Sequence, residues 1–122
     1  MNSHGTHKRA IAFMRRAAGV GFAAALLPSA FAADAAQLEL GKQLFTRAAV
    51  PSCALCHTLQ DARSEGAVGP ILDELKPDAL RVAKALRNGI GQMPSYKATL
   101  TDAQIEALAA YVSKASGPSK SP

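Results

Sequence analysis

Five residues, Cys53-Ala54-Leu55-Cys56-His57, constrain this chain more than any other stretch. Two thiols three positions apart lie on one helical turn, and each can add to a vinyl group of a haem. The histidine that follows is then placed under the iron, where an imidazole nitrogen can ligate it. The other chemistries of a C-x-x-C pair fit less well. A thioredoxin-like pair belongs to a βαβ setting, and no strand pattern is visible. Structural zinc takes four ligands, mostly Cys and His, whereas the chain beyond residue 32 has two Cys and one His. A Cys53–Cys56 disulfide leaves the adjacent His57 without a role. The motif therefore reads as the attachment site of a c-type haem, held covalently by Cys53 and Cys56. No internal repeat and no second C-x-x-C-H occur, so one haem is expected.

The N-terminus sets the compartment. Residues 1–16 contain Lys8, Arg9, Arg15 and Arg16 and no acid. An apolar run from Ala17 to Leu27 follows, then the small-x-small pattern Ala30-Phe31-Ala32. Basic, apolar, small is the order of a secretory signal peptide. The apolar run falls short of the ~20 residues that span a bilayer, which weighs against an uncleaved anchor. Arg15-Arg16 alone is ordinary in a basic leader and does not specify the twin-arginine route. Cleavage near Ala32, delivery to the periplasm and no transmembrane anchor in the mature protein are expected.

Cleavage changes the charge balance. The whole chain has 14 basic and 9 acidic residues, net +5. Four of those cations belong to the leader, which leaves ten against nine and a mature net charge of +1. The basic isoelectric point is thus mostly a leader property. It gives no support for nucleic-acid binding, and no basic stripe with interleaved aromatics is present.

Residues 33–115 read as one small domain, with a Ser/Pro/Gly/Lys-rich tail over 116–122 expected to be disordered. The domain has no Trp, and its aromatics are Phe45, Tyr96 and Tyr111. A core this thin has room for a large apolar cofactor as part of it. Residues 35–48 carry a helical pattern in Leu38, Leu40, Leu44, Phe45 and Ala48. Gly41 lies inside it at a cost of about 1 kcal/mol relative to Ala, which suggests the close approach of another helix. Residues 58–70 read as a loop and 71–76 as a helical turn. Pro77-Asp78 opens a helix with Leu80, Val82, Ala83 and Leu86 as apolar positions, stopped by Asn88-Gly89. Residues 89–99 read as a loop. Thr101 and Gln104 form a capping box for a last helix with Ile105, Leu108, Ala109 and Val112 on its apolar stripe.

A haem iron has a second axial position. His57 is the only histidine beyond the leader, so His/His ligation within the chain is excluded. Met1 and Met14 leave with the leader. Met93 remains, in the Gly- and Pro-framed segment Gly91-Gln92-Met93-Pro94. The candidates are Met93, a lysine, or an open or water-bound site. Met93 is the preferred one, since a neutral thioether favours ferrous iron and raises the potential relative to a second histidine.

Over residues 38–114 the chain resembles the small monohaem class I cytochromes c of bacteria. Gly41 and Phe45 are similar to the glycine and aromatic of the family's first helix. Ala109, Tyr111 and Val112 are similar to the part of the last helix packed against them. Cys53, Cys56 and His57 match the attachment site, Gly69-Pro70 the family's Gly-Pro, and Met93-Pro94 the distal loop. The resemblance implies an all-α fold, three to four helices packed around one covalently attached haem. It also implies that the Pro70 carbonyl accepts the ring N–H of His57, which orients the imidazole. The chain departs from the pattern in lacking a Trp near the haem propionates, a place Tyr96 is a candidate to fill. Core or rim packing is the expected role of Tyr111; Lys84, Arg87 and Lys97 are candidates for a partner-docking rim, with solvated surface charge the preferred reading.

The function so implied is electron transfer rather than enzymatic catalysis. With His57 and Met93 both on iron no substrate position is open, which suits a periplasmic one-electron shuttle between a dehydrogenase and an oxidase or another cytochrome. A second reading is the cytochrome subunit of a periplasmic oxidoreductase complex. The stretch Gly-Gln-Met-Pro-Ser-Tyr-Lys resembles small cytochromes paired with sulfite dehydrogenases. A third is a haem enzyme or gas sensor with an open distal site, which requires Met93 to be off the iron.

Overall fold

The computed structural model describes residues 29–117. The basic and apolar parts of the expected signal peptide and residues 118–122 of the expected tail lie outside this range. The first helix, α1 (Ser29–Gln43), begins before the expected cleavage point and passes through it. The Ala-rich stretch explains the early start, alanine having the highest helix propensity. Phe31 on this segment is 76% exposed.

α1 ends differently from the expected helix over 35–48. It stops at Gln43, and the next five positions, Leu44–Ala48, wind as a wider π turn, closed by Ala49 N–H donating to the Leu44 carbonyl. The buried stripe is Leu38, Gly41, Leu44 and Phe45, with Ala49 beyond the π turn. Leu40 and Ala48 were expected on that face and instead lie on the exposed side. Leu40 is about 100° from Gly41 around the helix, and Gly41 faces the partner helix.

A 3₁₀ turn (Cys53–Leu55) follows, then a minimal hairpin of β1 (Thr58–Leu59) and β2 (Ser64–Glu65), paired antiparallel with Leu59 opposite Ser64. The hairpin corrects the expectation of an unstructured loop over 58–70 and of no strand at all. Two-residue strands have no period-two pattern to read. Side chains secure the hairpin: the Ser64 hydroxyl accepts from Leu59 N–H at 3.0 Å, and Asp73 accepts from Gln60 N–H at 2.9 Å. Asp73 belongs to the single-turn helix α2 (Leu72–Leu75), which lies in the expected place.

α3 (Ala79–Asn88) is capped by Asp78, whose carboxylate accepts from Arg81 N–H at 2.7 Å. Ala79, Val82, Ala83 and Leu86 form its inner face, at helical spacing. Leu80, expected on that face, is 80% exposed, one position out of phase. α4 (Asp102–Ala115) starts with the expected capping box: Gln104 N–H donates to the Thr101 hydroxyl (3.2 Å), and Thr101 N–H to the Gln104 side chain (2.9 Å). Its buried set is wider than one stripe, with Ala107 and Tyr111 added to Ile105, Leu108, Ala109 and Val112. α4 packs on α1 and on α3 at once, so two faces must be apolar.

The α1–α4 crossing is the tightest helix contact. A methyl group on Gly41 would overlap the Ala107 carbonyl and Cβ of Tyr111, so the helix-weakening glycine is there for close approach. Beside it Phe45 and Tyr111 meet edge to face, ring centres 6.0 Å apart. The Tyr111 hydroxyl donates to Asp61 at 2.6 Å, and Lys42 reaches the same carboxylate at 3.0 Å. Among the described residues no helix is long and apolar enough to cross a membrane.

Candidate haem site

A cavity of about 880 Å³ opens between the attachment segment, α2, α3 and the loop that follows α3. This lies inside the range of about 300–1,000 Å³ usual for cofactor pockets. Cys53, Cys56, His57, Pro70 and Met93 all line it. Residues that are neighbours only in part along the chain thus meet on one surface. The rest of the wall is mostly apolar, with Phe45, Leu72, Leu86, Leu108 and Val112 drawn from four separate elements.

The attachment segment is held by its own backbone. The amides of Cys56 and His57 donate to the Cys53 carbonyl (3.1 and 2.9 Å), which rolls the five residues of the motif into a compact turn. The Cys56 carbonyl accepts from Val68 N–H (3.1 Å) and Gly69 N–H (2.7 Å), so the following loop is pinned against the motif. Gly66 packs on the Cys56–His57 backbone too closely for any side chain. Sequence reasoning placed Gly66 in a loop without a role; its signal is contact with a distant backbone, which no local pattern reports. Cys53 and Cys56 are not joined to each other as a disulfide, which leaves both sulfurs for the haem.

His57 Nδ1 lies 2.9 Å from the Pro70 carbonyl oxygen. A carbonyl only accepts, so this contact requires the proton on Nδ1 and leaves Nε2 with a free lone pair. Gly69 makes the arrangement sterically feasible, since a methyl group there would overlap the imidazole ring. The acceptor and the ring's packing surface thus come from one Gly-Pro pair.

Met93 sits in a tight loop. Ile90 and Met93 exchange both backbone hydrogen bonds, at 3.1 and 3.0 Å. The loop's far end is tied to α3: Tyr96 N–H donates to the Leu86 carbonyl (2.7 Å) and the Ser95 hydroxyl to the Arg87 carbonyl (2.5 Å). The Tyr96 ring is buried and lines the cavity, and its hydroxyl donates to the Pro51 carbonyl at 2.7 Å. This bond occupies the hydroxyl that was a candidate to replace the missing Trp. Burial raises the Tyr96 phenol to about 12 from 10.0.

The donor set suits a haem better than a bare ion. Among the described residues no three His, Cys, Asp or Glu side chains converge on a common metal position. One imidazole nitrogen and one thioether beside two thiols, on a large apolar cavity, fit a flat macrocycle that brings its own four nitrogens. The surface charges resolve more simply. Arg87, expected to be solvated, bridges α3 to α4 through Asp102 (3.2 Å) and Glu106 (2.8 Å).

Comparison with known proteins shows the family and the fold. Residues 36–112 match the family described as cytochrome c oxidase, cbb3-type, subunit III. No curated protein matches the chain. Among solved structures, the c-type cytochrome SorU from Sinorhizobium meliloti is 54% identical, with a TM-score of 0.66, over 71% of this chain and 99% of that one.

Proposed function

Since the chain belongs to the cytochrome c family described as cbb3-type oxidase subunit III and carries a covalently bound haem c, we propose that it is a periplasmic one-electron carrier whose haem is ligated by His57 and Met93. The observation that carries this reading is the convergence of Cys53, Cys56, His57 and Met93 on one apolar cavity. When bound, the haem supplies a ferric/ferrous couple that exchanges one electron at a time.

The chain's own residues do the rest. Cys53 and Cys56 provide the two sulfurs that fix the macrocycle. His57 presents Nε2 as a ligand, its ring held by the Pro70 carbonyl and by contact with Gly69. Met93 offers a neutral sulfur from a loop closed by the Ile90–Met93 pair and by Tyr96. Leu72, Leu86, Leu108 and Val112 line the cavity with apolar surface, which lowers the effective dielectric around a bound haem. Two protein ligands in preset positions mean little rearrangement between oxidation states, the condition for rapid outer-sphere transfer. No step needs a proton donor or a nucleophile. The leader pattern ending at Ala32 supports export, and an intact mass starting at residue 33 is expected of the exported protein.

In the cell the carrier takes electrons from a dehydrogenase and passes them to an oxidase or another cytochrome. A second reading, a cytochrome subunit of a periplasmic oxidoreductase complex such as a sulfite dehydrogenase, is favoured by one observation. Val68 and Ile90, each 70% exposed, stand at the lining of the cavity and offer an apolar rim to a partner. Co-purification of the untagged protein with a larger redox subunit distinguishes it from a free shuttle.

The test of ligation is the visible spectrum of the exported protein, oxidised, reduced, then exposed to carbon monoxide. A low-spin spectrum unchanged by carbon monoxide is expected. Met93→Ala is expected to bind carbon monoxide at once and to lower the midpoint potential. An unchanged potential in that variant would remove Met93 from the iron.

A further inference from the structure

The wall of the cavity carries charge of one sign only. Arg81 and Lys84 are in its lining, and no aspartate or glutamate is. Both cations stand on α3, three positions apart and so on one flank of the helix. Both are exposed at the rim. Among the described residues neither makes a salt bridge, whereas Arg87 on the same helix pairs with two acids of α4. The acid nearest in sequence, Asp78, already serves the helix: its carboxylate caps α3 through Arg81 N–H at 2.7 Å.

The other ionisable groups on the wall offer no counter-charge. They are Cys53 and Cys56, His57 engaged by the Pro70 carbonyl, and Tyr96 engaged by the Pro51 carbonyl. An apolar cavity rimmed by two unpaired cations is complementary to an apolar ligand that ends in two anions. A haem is such a ligand, with two propionate carboxylates on one edge. We infer that Arg81 and Lys84 pair with the propionate carboxylates of the haem, an assignment that rests on the haem occupying this cavity. The planar guanidinium of Arg81 suits a bidentate carboxylate contact, and the ammonium of Lys84 serves as a point charge. The pair gives the macrocycle a third anchor besides the thioether sulfurs and the axial ligands.

Two cations at the haem edge also favour the ferrous state, which carries one positive charge fewer. The test uses the exported haem-loaded protein and the variants Arg81→Gln, Lys84→Gln and their combination. Lys97→Gln is the charge-matched control, an exposed cation outside the cavity lining. Two readouts are made: the midpoint potential, and the proton resonances of the propionate methylenes in the ferric protein. In the double variant the ferrous-to-ferric ratio at a fixed potential is expected to fall roughly twofold or more, with displaced propionate resonances and an intact low-spin spectrum. Lys97→Gln is expected to move neither readout. Unmoved propionate resonances in the double variant, or an equal shift of potential in Lys97→Gln, overturn the assignment while leaving the haem in its cavity. Absence of covalent haem from the parent protein would instead sink the reading of the cavity itself. Arg81→Lys is expected to restore the resonances in part.

Discussion

The Tyr96 hydroxyl donates to the Pro51 carbonyl across 2.7 Å, joining the chain just before the first thiol to the chain just after Met93. One hydrogen bond therefore spans the two segments that carry the proposed covalent and distal attachments. Tyr96→Phe keeps the ring in the core and removes only this bond. A buried hydrogen bond contributes about 1 kcal/mol. The thermal midpoint of the ferric protein should fall by about 5 °C. Carbon monoxide should also react faster with the reduced variant, because the Met93 loop opens more often. A faster reaction without the thermal loss would separate loop motion from global stability.

Gly69→Ala tests the packing beneath the imidazole. The added methyl overlaps the His57 ring, so either the ring or the Cys56–Gly69 loop contact must give way. Overpacking of this kind costs about 1–3 kcal/mol. The expected result is a changed midpoint potential with haem still covalently bound, read by spectroelectrochemistry. A parent-like potential would mean that the loop absorbs the strain and that Gly69 does not govern the histidine.

Gly41→Ala tests the helix crossing. Alanine gains about 1 kcal/mol of helix propensity, yet its methyl would overlap the Ala107 carbonyl and Cβ of Tyr111, backbone on one side and a helix-bound carbon on the other. The overlap should win. Net destabilisation of about 1–2 kcal/mol is expected from chemical denaturation, with an unshifted visible spectrum, because Gly41 does not line the cavity.

The Asp61–Tyr111 pair predicts a stability profile that bends at both ends of the pH scale. The Tyr111 hydroxyl, then Lys42, hold the Asp61 carboxyl below its ordinary 3.8. A depressed acid contributes stability in full above 3.8 and loses it as pH falls through the lowered value. Burial, then the Asp61 carboxylate, push the Tyr111 phenol above its ordinary 10.0. A raised phenol contributes stability in full below 10.0 and loses it as pH climbs past that value. Thermal midpoints of the parent and of Tyr111→Phe should therefore converge at both extremes. The acid-side effect is small, since the Asp61 side chain is 46% exposed and screened by solvent. Parallel curves from pH 3 to pH 11 would refute the coupling.

Much of the site was legible because its chemistry is local. The two thiols and His57 occupy five consecutive positions, and Met93 stood out as the lone methionine beyond the leader. The caps at Asp78 and Thr101 were equally readable, since a cap involves residues three apart. What escaped depends on contacts across the fold. Leu40 and Leu80 match an apolar pattern but lie outside the phase that α4 selects. The hairpin at Thr58–Leu59 is held by Ser64 and Asp73, which a pattern of apolar spacing ignores. Gly66 and the cavity-facing placement of Arg81 and Lys84 required the cavity itself.

The crossing of α1 and α4 brings the first described helix against the last. Leu44 and Phe45 gain part of their cover only once residues 102–115 have folded back, with Tyr111 edge-on to Phe45 and Ala107 and Tyr111 against Gly41. A chain that stops early has no local substitute for that cover. It presents two large apolar side chains and an unpaired helix to proteases, while the full-length chain presents neither. A truncated product is therefore expected to be cut by proteases faster than the chain that keeps α4.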